Sequence, residues 1–307
     1  MTTINISGIE TRRRFGRVGY LRIEDDNHNM VKYGTNNGSL SYDIKFDIEK
    51  VGIFVTKFSA SILGLGGDTI NNLTVWNLNE SIKSGRRIEV FAGYNVLGAE
   101  TQPDVSMVGA GYIMTSRPTN PPNRWMDFNC IVGSANQDPV QNPHAEKGAD
   151  VKTIFEVICE LNGRKPNFSR MKQEELNKVV PSYVFEGPPC KMFDKFMRSF
   201  NVRILDNGEF VTLVPMHERY EKPIGARTVS IDSGLIDTVE ITQAGAVIRM
   251  RLNERYSLFD WIRLESAVNP KYNGYYYVIK QRHVGHLRGG EWFTEYNMLR
   301  YIPKGES

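Results

Sequence analysis

Hydrophobic and polar residues alternate along much of the chain. The clearest case runs from residue 41 to 51, where Tyr42, Ile44, Phe46 and Ile48 share one face and charged residues occupy the other. A period of two predicts a β-strand with one buried and one solvated face. This pattern makes the strand the main structural element that we expect.

Similar alternation, or a run of β-branched and aromatic residues, predicts further strands in both halves of the chain. They lie at 15–23, 55–63, 74–78, 88–90, 111–117, 124–132, 246–252, 262–264 and 275–282. Short polar or glycine-rich segments separate them. Many short strands with frequent turns are typical of an antiparallel barrel or sandwich.

One arrangement of strands occurs twice. Leu78 and Leu252 each end an alternating strand and are followed by Asn-Glu. Ten residues beyond each leucine, at Ile88 and Ile262, an apolar-charged-apolar strand begins, and a Gly-Tyr strand with a basic end follows. This order indicates a diverged internal duplication. A chance likeness between amphipathic strands is the alternative.

The middle of the chain changes from a period of two to a helical period. Asp150 is a suitable N-cap for a helix over 151–161, which Asn162-Gly163 ends. A second amphipathic helix is predicted at 189–200, and a hairpin follows with strands at 202–205 and 210–214. The Asn-Gly pair between these strands favours a tight hairpin turn.

These elements predict a mainly β chain with a small α+β insert between two antiparallel β-barrels. Polar, proline-containing connectors at 133–150 and 215–227 separate the parts. The predicted domains are a first barrel at 1–145, the insert at 150–214 and a second barrel at 228–307.

Composition narrows the class of protein. The net charge of +3 over 307 residues indicates no polyanionic partner. Cys130, Cys159 and Cys190 have unrelated spacings and predict reduced thiols rather than a disulfide framework. The sequence has no signal-peptide pattern and no long apolar run, so we expect a soluble protein folded in a cytoplasm.

Two loops resemble ligand-binding motifs but lack essential residues. The glycine-rich segment 64–67 is not followed by Gly-Lys-Ser/Thr, and we expect no helix there, so a strand-end turn is predicted. Asp25, Asn27 and Asn29 match the start of a calcium loop, but Met30 and Asn36 occupy the positions that require glycine and glutamate. We therefore predict a turn.

Other candidate chemistry is also incomplete. His283 and His286 could face one metal, but no third ligand has suitable spacing, so solvated histidines at a strand end are expected. No nucleophile motif is present, and a carboxylate pair for glycoside hydrolysis is neither found nor excluded. The basic arm at Arg12, Arg13 and Arg14 favours docking on a neighbouring subunit over nucleic-acid binding. The sequence thus predicts no catalytic, cofactor or metal site and no enzyme activity.

Several short motifs together resemble the central baseplate hub proteins of contractile-tailed phages, relatives of late-control proteins and secretion-system spike hubs. The similarity covers most of the chain in order. The motifs are Gly85–Tyr94, Gly234-Leu235-Ile236, Leu252-Asn253, Gly274-Tyr275-Tyr276, Arg282–His286 and Gly290-Glu291-Trp292. The segment 255–260 lacks a glycine usual in that family, and no lysozyme or spike segment is fused to the chain.

The resemblance implies two tube-like barrels and a structural role in the virion. A homotrimer with two barrels per chain would form a pseudo-sixfold ring between a hexameric tail tube and a trimeric spike. Tape-measure and baseplate wedge proteins are further partners that it implies. DNA would pass through the channel without sequence-specific recognition, and assembly would take place in the host cytoplasm, away from membranes.

Two other functions remain open at the level of sequence. A tail-tube-like completion or distal-tail protein is the first, and the α+β insert argues against it because simple tube proteins have one barrel and no insert. A sugar-binding or hydrolytic β-protein is the second.

Overall fold

The computed structural model describes residues 14–34, 42–51, 54–75, 86–96, 103–120, 123–132, 144–206, 210–220, 223, 225–236, 239–252 and 256–302. Strands make up 53% of the described structure and helices 17%. The fold is therefore mainly β, as the alternation predicts. The described strands form one thirteen-stranded sheet and two small sheets.

The first β unit comprises the described residues before 133. Its strands pair antiparallel in the order β3-β4-β7-β6-β5-β1-β2. The elements are β1 (Arg14–Glu24), β2 (Met30–Gly34), β3 (Asp43–Val51), β4 (Phe54–Leu63), α1 (Gly67–Leu73), β5 (Arg87–Val96), β6 (Asp104–Pro118) and β7 (Trp125–Ile131).

Alternation along the strands creates the core of this unit. On β3, Ile44 and Ile48 are fully buried, and Ile62 on β4 and Phe128 on β7 face the same interior. Burial of each large apolar side chain stabilises the fold by about 1.5–3 kcal/mol. The buried apolar face predicted for β3 is therefore confirmed. The charged face is less solvated than predicted, because Asp43 is buried and Lys45, Asp47 and Glu49 are partly buried.

The insert, residues 144–220, packs helices against a small mixed sheet. Its elements are β8 (His144–Glu146), α2 (Val151–Leu161), β9 (Lys165–Asn167), α3 (Gln173–Leu176), β10 (Tyr183–Phe185), α4 (Pro189–Phe200), β11 (Val202–Asp206), β12 (Phe210–Pro215) and a 3-10 turn at Met216–Tyr220. The two long helices and the hairpin strands are confirmed. The end of the predicted connector instead forms β8, which pairs with β10.

Capping explains the limits of α2. The Asp150 carboxylate accepts a hydrogen bond of 2.7 Å from the Thr153 amide, as expected of an N-cap. At the other end, the Asn162 amide donates to the carbonyls of Ile158 and Pro189 and so joins the end of α2 to the start of α4. Gly163 follows with a φ of 62°, the left-handed conformation that commonly ends a helix.

The second β unit covers the described residues from 225 to 302. The long strand β17 pairs with β18 along its length, with β16 at its start and with β3 at its end. The strands are β13 (Arg227–Val229), β14 (Glu240–Ile241), β15 (Gly245–Arg251), β16 (Trp261–Leu264), β17 (Gly274–His286) and β18 (Trp292–Arg300). Within the described residues the ladder runs open from β14 to β2, without a closed ring of strands.

The two β units share one pairing pattern. In the first, β4 pairs with β7, β7 with β6 and β6 with β5; in the second, β15 pairs with β18, β18 with β17 and β17 with β16. A register shift interrupts β6–β7 between Ile113 and Thr115 and β17–β18 between Val278 and Lys280. The matching irregularity aligns the two units residue by residue.

This alignment tests the predicted duplication. Ile88 pairs with Gly111 on β6, and Ile262 pairs with Tyr276 on β17. Gly111 and Tyr276 each lie two residues before the shared register shift. Ile88 and Ile262 therefore occupy equivalent positions, as the sequence predicts.

The predicted correspondence of residues 74–78 to the opening strand of the second copy is wrong. The strand equivalent to β15 is β4, and Leu73 instead ends the helix α1. Val75 makes only an isolated bridge to Ser116, and Leu78 lies outside the described residues. Leu63 and Arg251 occupy equivalent positions, because their register partners are Trp125 and Phe293. The position equivalent to Leu252 is therefore that of Gly64. A Leu-Asn-Glu match of three residues was too short to fix the register.

Three hydrophobic cores lie in the order of the predicted domains. The core of the insert contains only residues of the insert. Leu252 and Trp292 of the second β unit, however, belong to the core of the first. The boundaries 1–145, 150–214 and 228–307 therefore remain a prediction, which isolated fragments can test.

Candidate functional site

A continuous sheet joins the two β units at the junction of β3 and β17. Strand β17 continues beyond the end of β16, and its residues 281–286 pair antiparallel with residues 50–45 of β3. We call this contact the internal junction. It is the place where one β unit is laterally attached to the next.

Charged side chains cross the internal junction. The Arg282 guanidinium donates to both carboxylate oxygens of Asp47, at 2.8 and 2.7 Å, and Lys57 also bonds to Asp47. Lys280 lies 2.6 Å from Glu49. Burial raises the pKa of Asp47, but the hydrogen bonds from Arg282 and Lys57 outweigh it and lower the pKa below its usual value. Bidentate arginine–carboxylate pairs fix the relative orientation of the two side chains as well as pairing their charges.

Glycine allows the strands of the junction to pack closely. A Cβ at Gly285 would overlap with the Phe46 ring, which lies directly across the sheet. Phe46 in turn contacts Trp292 edge-on, with ring centroids 5.6 Å apart. Any larger residue at 285 would therefore separate β17 from β3.

The two histidines of β17 do not share a site. His283 is fully buried, with Nδ1 2.9 Å from Thr294 Oγ1, whereas His286 Nε2 lies 3.0 Å from Asp43 Oδ2. The prediction that both are solvated is wrong for His283, because β17 continues to residue 286 and is covered on both sides. Burial, and secondarily the charge of Lys50, lower the pKa of His283 well below its usual value. In the described parts of the chain no three metal-ligating side chains cluster.

The tip of the β17–β18 hairpin covers the first β unit. Arg17 on β1 donates to the carbonyls of His286 and Gly290, at 2.8 and 3.0 Å, and also to that of Gly289. Its guanidinium lies 5.6 Å from the centroid of the Trp292 ring. The tip of this hairpin therefore covers the hydrophobic core of the first β unit.

A second junction attaches the insert to the second β unit. Arg170 of the insert donates to the Asp260 carboxylate at 3.3 Å and bonds to Glu218 and to the carbonyl of Phe259. Arg203 stacks over the Phe259 ring at 5.0 Å. Phe259 has a φ of 68°, an unfavourable conformation for a bulky residue. The surrounding contacts hold it in place.

Exposed apolar residues concentrate on the second β unit. In the described structure the large hydrophobic residues with exposed side chains there are Ile231, Ile236, Ile241, Val268, Tyr275 and Ile302. Ile241 lies on β14, which pairs with β15 alone among the described strands, and the Ile236 amide donates to the carbonyl of Arg249 on β15. An apolar sheet edge of this kind is typical of an association surface.

The other candidate sites of the sequence are structural. The Asp25 carboxylate accepts from the amides of Asn27 and Asn29, so this loop is the predicted turn. A short helix, α1, does begin at Gly67, contrary to expectation, but it spans only 67–73. Arg12 and Arg13 lie outside the described residues.

Cys130 and Cys159 are free thiols. Cys130 is half-buried and Cys159 is buried. Burial raises the pKa of Cys159 to about 12, so its thiol is protonated at neutral pH. No described helix is long and apolar enough to span a membrane.

A protein-family comparison gives a clear match. The model of the family described as "Baseplate hub gp41" matches residues 54–284, which is more than half of the chain. No curated protein sequence matches.

Solved structures with the same fold include two tail proteins and a chain of a PdpA-VgrG complex. A 43 kDa tail protein of prophage MuSo2 from Shewanella oneidensis is 8% identical, with a TM-score of 0.58 over 93% of this chain and 97% of the other. A tail protein from Neisseria meningitidis MC58 is 9% identical, with a TM-score of 0.57 over 95% and 98%. A chain of the half-lidded PdpA-VgrG complex of Francisella is 8% identical, with a TM-score of 0.52 over 96% and 60%. At these identities the likeness concerns the fold.

Proposed function

Because this chain belongs to the baseplate hub gp41 family, and so is a structural component of a phage tail baseplate, we propose that it forms the central hub as a homotrimer. Three chains, each contributing two tube-like β-barrels, give a pseudo-sixfold ring. The ring adapts a hexameric tail tube to a trimeric spike.

The shared pairing pattern of the two β units is the observation that carries this proposal. The units align strand by strand, including the register shift after Ile113 and Val278. Two similar units in one chain are redundant in a monomer. In a closed ring of three chains they supply six similar positions, which resolves a mismatch between sixfold and threefold neighbours.

Free sheet edges support lateral association. β2 and β14 end the pairing order of the described sheet, and each can extend the sheet of a neighbouring copy by strand addition. Unpaired edges of this kind promote aggregation in a monomer, and ring closure removes them.

The partners of the ring follow from its place in the tail. They are the tube protein, the trimeric spike, and the tape-measure and baseplate wedge proteins. DNA passes through the central channel without sequence-specific recognition. The role is structural and non-enzymatic, in a virion assembled in the host cytoplasm.

Electron microscopy of assembled tails tests the proposal. We expect three copies of this chain around the axis, each contributing two β units to one ring. One copy or six copies around the axis would rule out the trimeric hub. A ring of six chains stacked on the tube would favour the alternative, a tail-completion or distal-tail protein.

A further inference from the structure

The internal junction has an unpaired counterpart elsewhere in the chain. The hairpin β3–β4 corresponds to the hairpin β14–β15, because β4 and β15 are equivalent and both partners precede them antiparallel. The shared register shift aligns Asn129 with Asn297, whose partners on the neighbouring strands are Ser59 and Val247. These two residues anchor the comparison of the edge strands.

The alignment then places an acidic residue at one position of both edge strands. Ser59 pairs with Asp47 on β3, and Val247 pairs with Glu240 on β14. Glu240 therefore occupies the position of Asp47, the carboxylate that binds Arg282. The next residues correspond in the same way, so that Ile241 matches Ile48.

The basic partner is duplicated as well. Arg117 pairs with Asp127 on β7, and Arg282 pairs with Glu295 on β18, at the same distance from the register shift. Arg117 at the end of β6 is thus the equivalent of Arg282. It is exposed, and in the part of the chain that is described neither Arg117 nor Glu240 has an ion-pair partner.

Exposure differs between the two edges in the way expected of an open and a closed junction. Ile48 is fully buried, whereas its equivalent Ile241 is 39% exposed. Asp47 is engaged by two cations, whereas Glu240 is exposed. One junction is complete within the chain, and the other has its acidic and apolar components but no partner strand among the described residues.

Within the described sheet, the two components of the second junction are not neighbours. In the pairing order, β14 and β6 are separated by β15, β18, β17, β3, β4 and β7. At about 4.8 Å between neighbouring strands, the two edges lie roughly 30 Å apart along the sheet. Among the described strands, β6 of the same chain is therefore not a neighbour of β14, and a second copy of the chain can supply this partner.

We infer that the β14 edge of one copy lies against the C-terminal end of β6 in a second copy, with Glu240 ion-paired to Arg117 and Ile241 buried between them. This inference rests on the proposed ring, and it specifies the contact between chains. In this arrangement, the junction between chains has the same strand register and the same kind of arginine–carboxylate pair as the internal junction. By analogy with Val284 and Asp47, which are register partners, Thr119 lies opposite Glu240.

The contact between chains is weaker in backbone hydrogen bonds than the internal junction. Pro118, the equivalent of His283, has no N–H to donate. On the same side of β6, Val75 already forms an isolated antiparallel bridge with Ser116, whose hydroxyl donates to the carbonyl of Leu73. The contact between copies therefore starts at Arg117. Side-chain pairing of Arg117 with Glu240 and burial of Ile241 accordingly carry more of the specificity between copies.

Charge reversal tests the ion pair. Native mass spectrometry over a range of protein concentrations measures trimer formation, and electron microscopy of tails assembled with each variant counts the copies. Arg117→Glu and Glu240→Arg should each weaken association roughly tenfold or more, and the double variant should restore it. Arg263→Glu is the matched control, because Arg263 pairs with Glu265 at the surface of the same β unit, at 3.0 Å.

Disulfide trapping tests the register. Tails assembled from a mixture of Thr119→Cys and Glu240→Cys chains should yield a cross-linked dimer, because directly paired strand residues lie within disulfide range. Either variant alone should yield none. Asp47→Cys combined with Val284→Cys should form the same bond within one chain and serves as the positive control.

The outcomes separate this contact from the proposed function. A trimer that tolerates both charge reversals and gives no mixed disulfide overturns the contact and leaves the trimeric hub standing. Weakening without restoration in the double variant, and without a disulfide, also counts against the contact. One or six copies around the tail axis overturn the hub and the contact together.

Discussion

At the scale of single residues, the internal junction depends on side chains that look ordinary in the sequence. Arg282 follows the alternation of its strand, and in the sequence it belongs only to the basic end of a repeat and to a short family motif. Its bond to Asp47 joins residues 235 positions apart, a contact that no local pattern reveals. The register shift after Val278 also has no signal in composition, yet it decides which residue lies opposite which.

The burial of His283 leads to a pH-dependence of stability. Its folded pKa is lowered, so below pH 6.5 the unfolded chain binds a proton that the folded chain excludes, and stability falls. The loss approaches about 1.4 kcal/mol per pH unit. We expect the free energy of unfolding of His283→Gln to change less between pH 6.5 and 5 than that of the wild type.

Chemical denaturation at several pH values provides the measurement, and His217→Gln, at an exposed position of the insert, is the control. Equal pH slopes for wild type and His283→Gln would contradict the expectation. The Asp47 carboxylate affects stability in a different pH range. Because its pKa is lowered in the folded protein, it stabilises the fold above about pH 4, and this contribution is lost only below that value.

At the scale of secondary-structure elements, the sequence pattern predicted the features that depend on neighbouring residues. The cap at Asp150, the apolar stripe of α2 and the alternation of β3 appeared at the expected residues. The sequence did not predict β2, β14 or α1. The two strands are short edge elements, and α1 has seven residues, so tertiary contacts rather than propensity determine them.

The composition of the cores predicts which fragments fold alone. The core of the insert is built from its own residues, so a fragment of residues 144–220 should show a cooperative thermal transition. Residues 1–145 lack Leu252, Trp292 and Leu287, which pack into the first core, and lack the β17 partner of β3. This fragment should unfold without cooperativity.

Circular dichroism during heating distinguishes the two fragments, with the whole chain as the reference. A sharp transition for residues 1–145 would show that the first β unit is independent of the β17–β18 hairpin. A broad transition for residues 144–220 would show that the insert depends on Arg170 and its partners in the second β unit.

At the scale of the whole molecule, Arg170 determines how firmly the insert is attached. Arg170→Met removes its bonds to Glu218, Asp260 and the Phe259 carbonyl and leaves partly buried acceptors unpaired. We expect faster amide hydrogen exchange around 258–262 and 168–172, with little change in the first β unit. Lys195→Met, which removes a surface pair with Glu186, should leave both segments unchanged.

Unchanged exchange at both segments in Arg170→Met would mean that Arg203 and the stacked rings of Phe259 and Tyr277 hold the insert without help.

The pairing of β3 with β17 also has a consequence for the nascent chain during translation. Asp47 is synthesised 235 residues before Arg282. At about 5–20 residues per second, β3 waits roughly 12 to 47 seconds for its partner. During that interval an alternating strand with a bare edge is present on every nascent chain, and each polysome holds several such edges close together. We therefore expect translation speed and chaperone binding to residues 43–51 to influence the yield of intact protein.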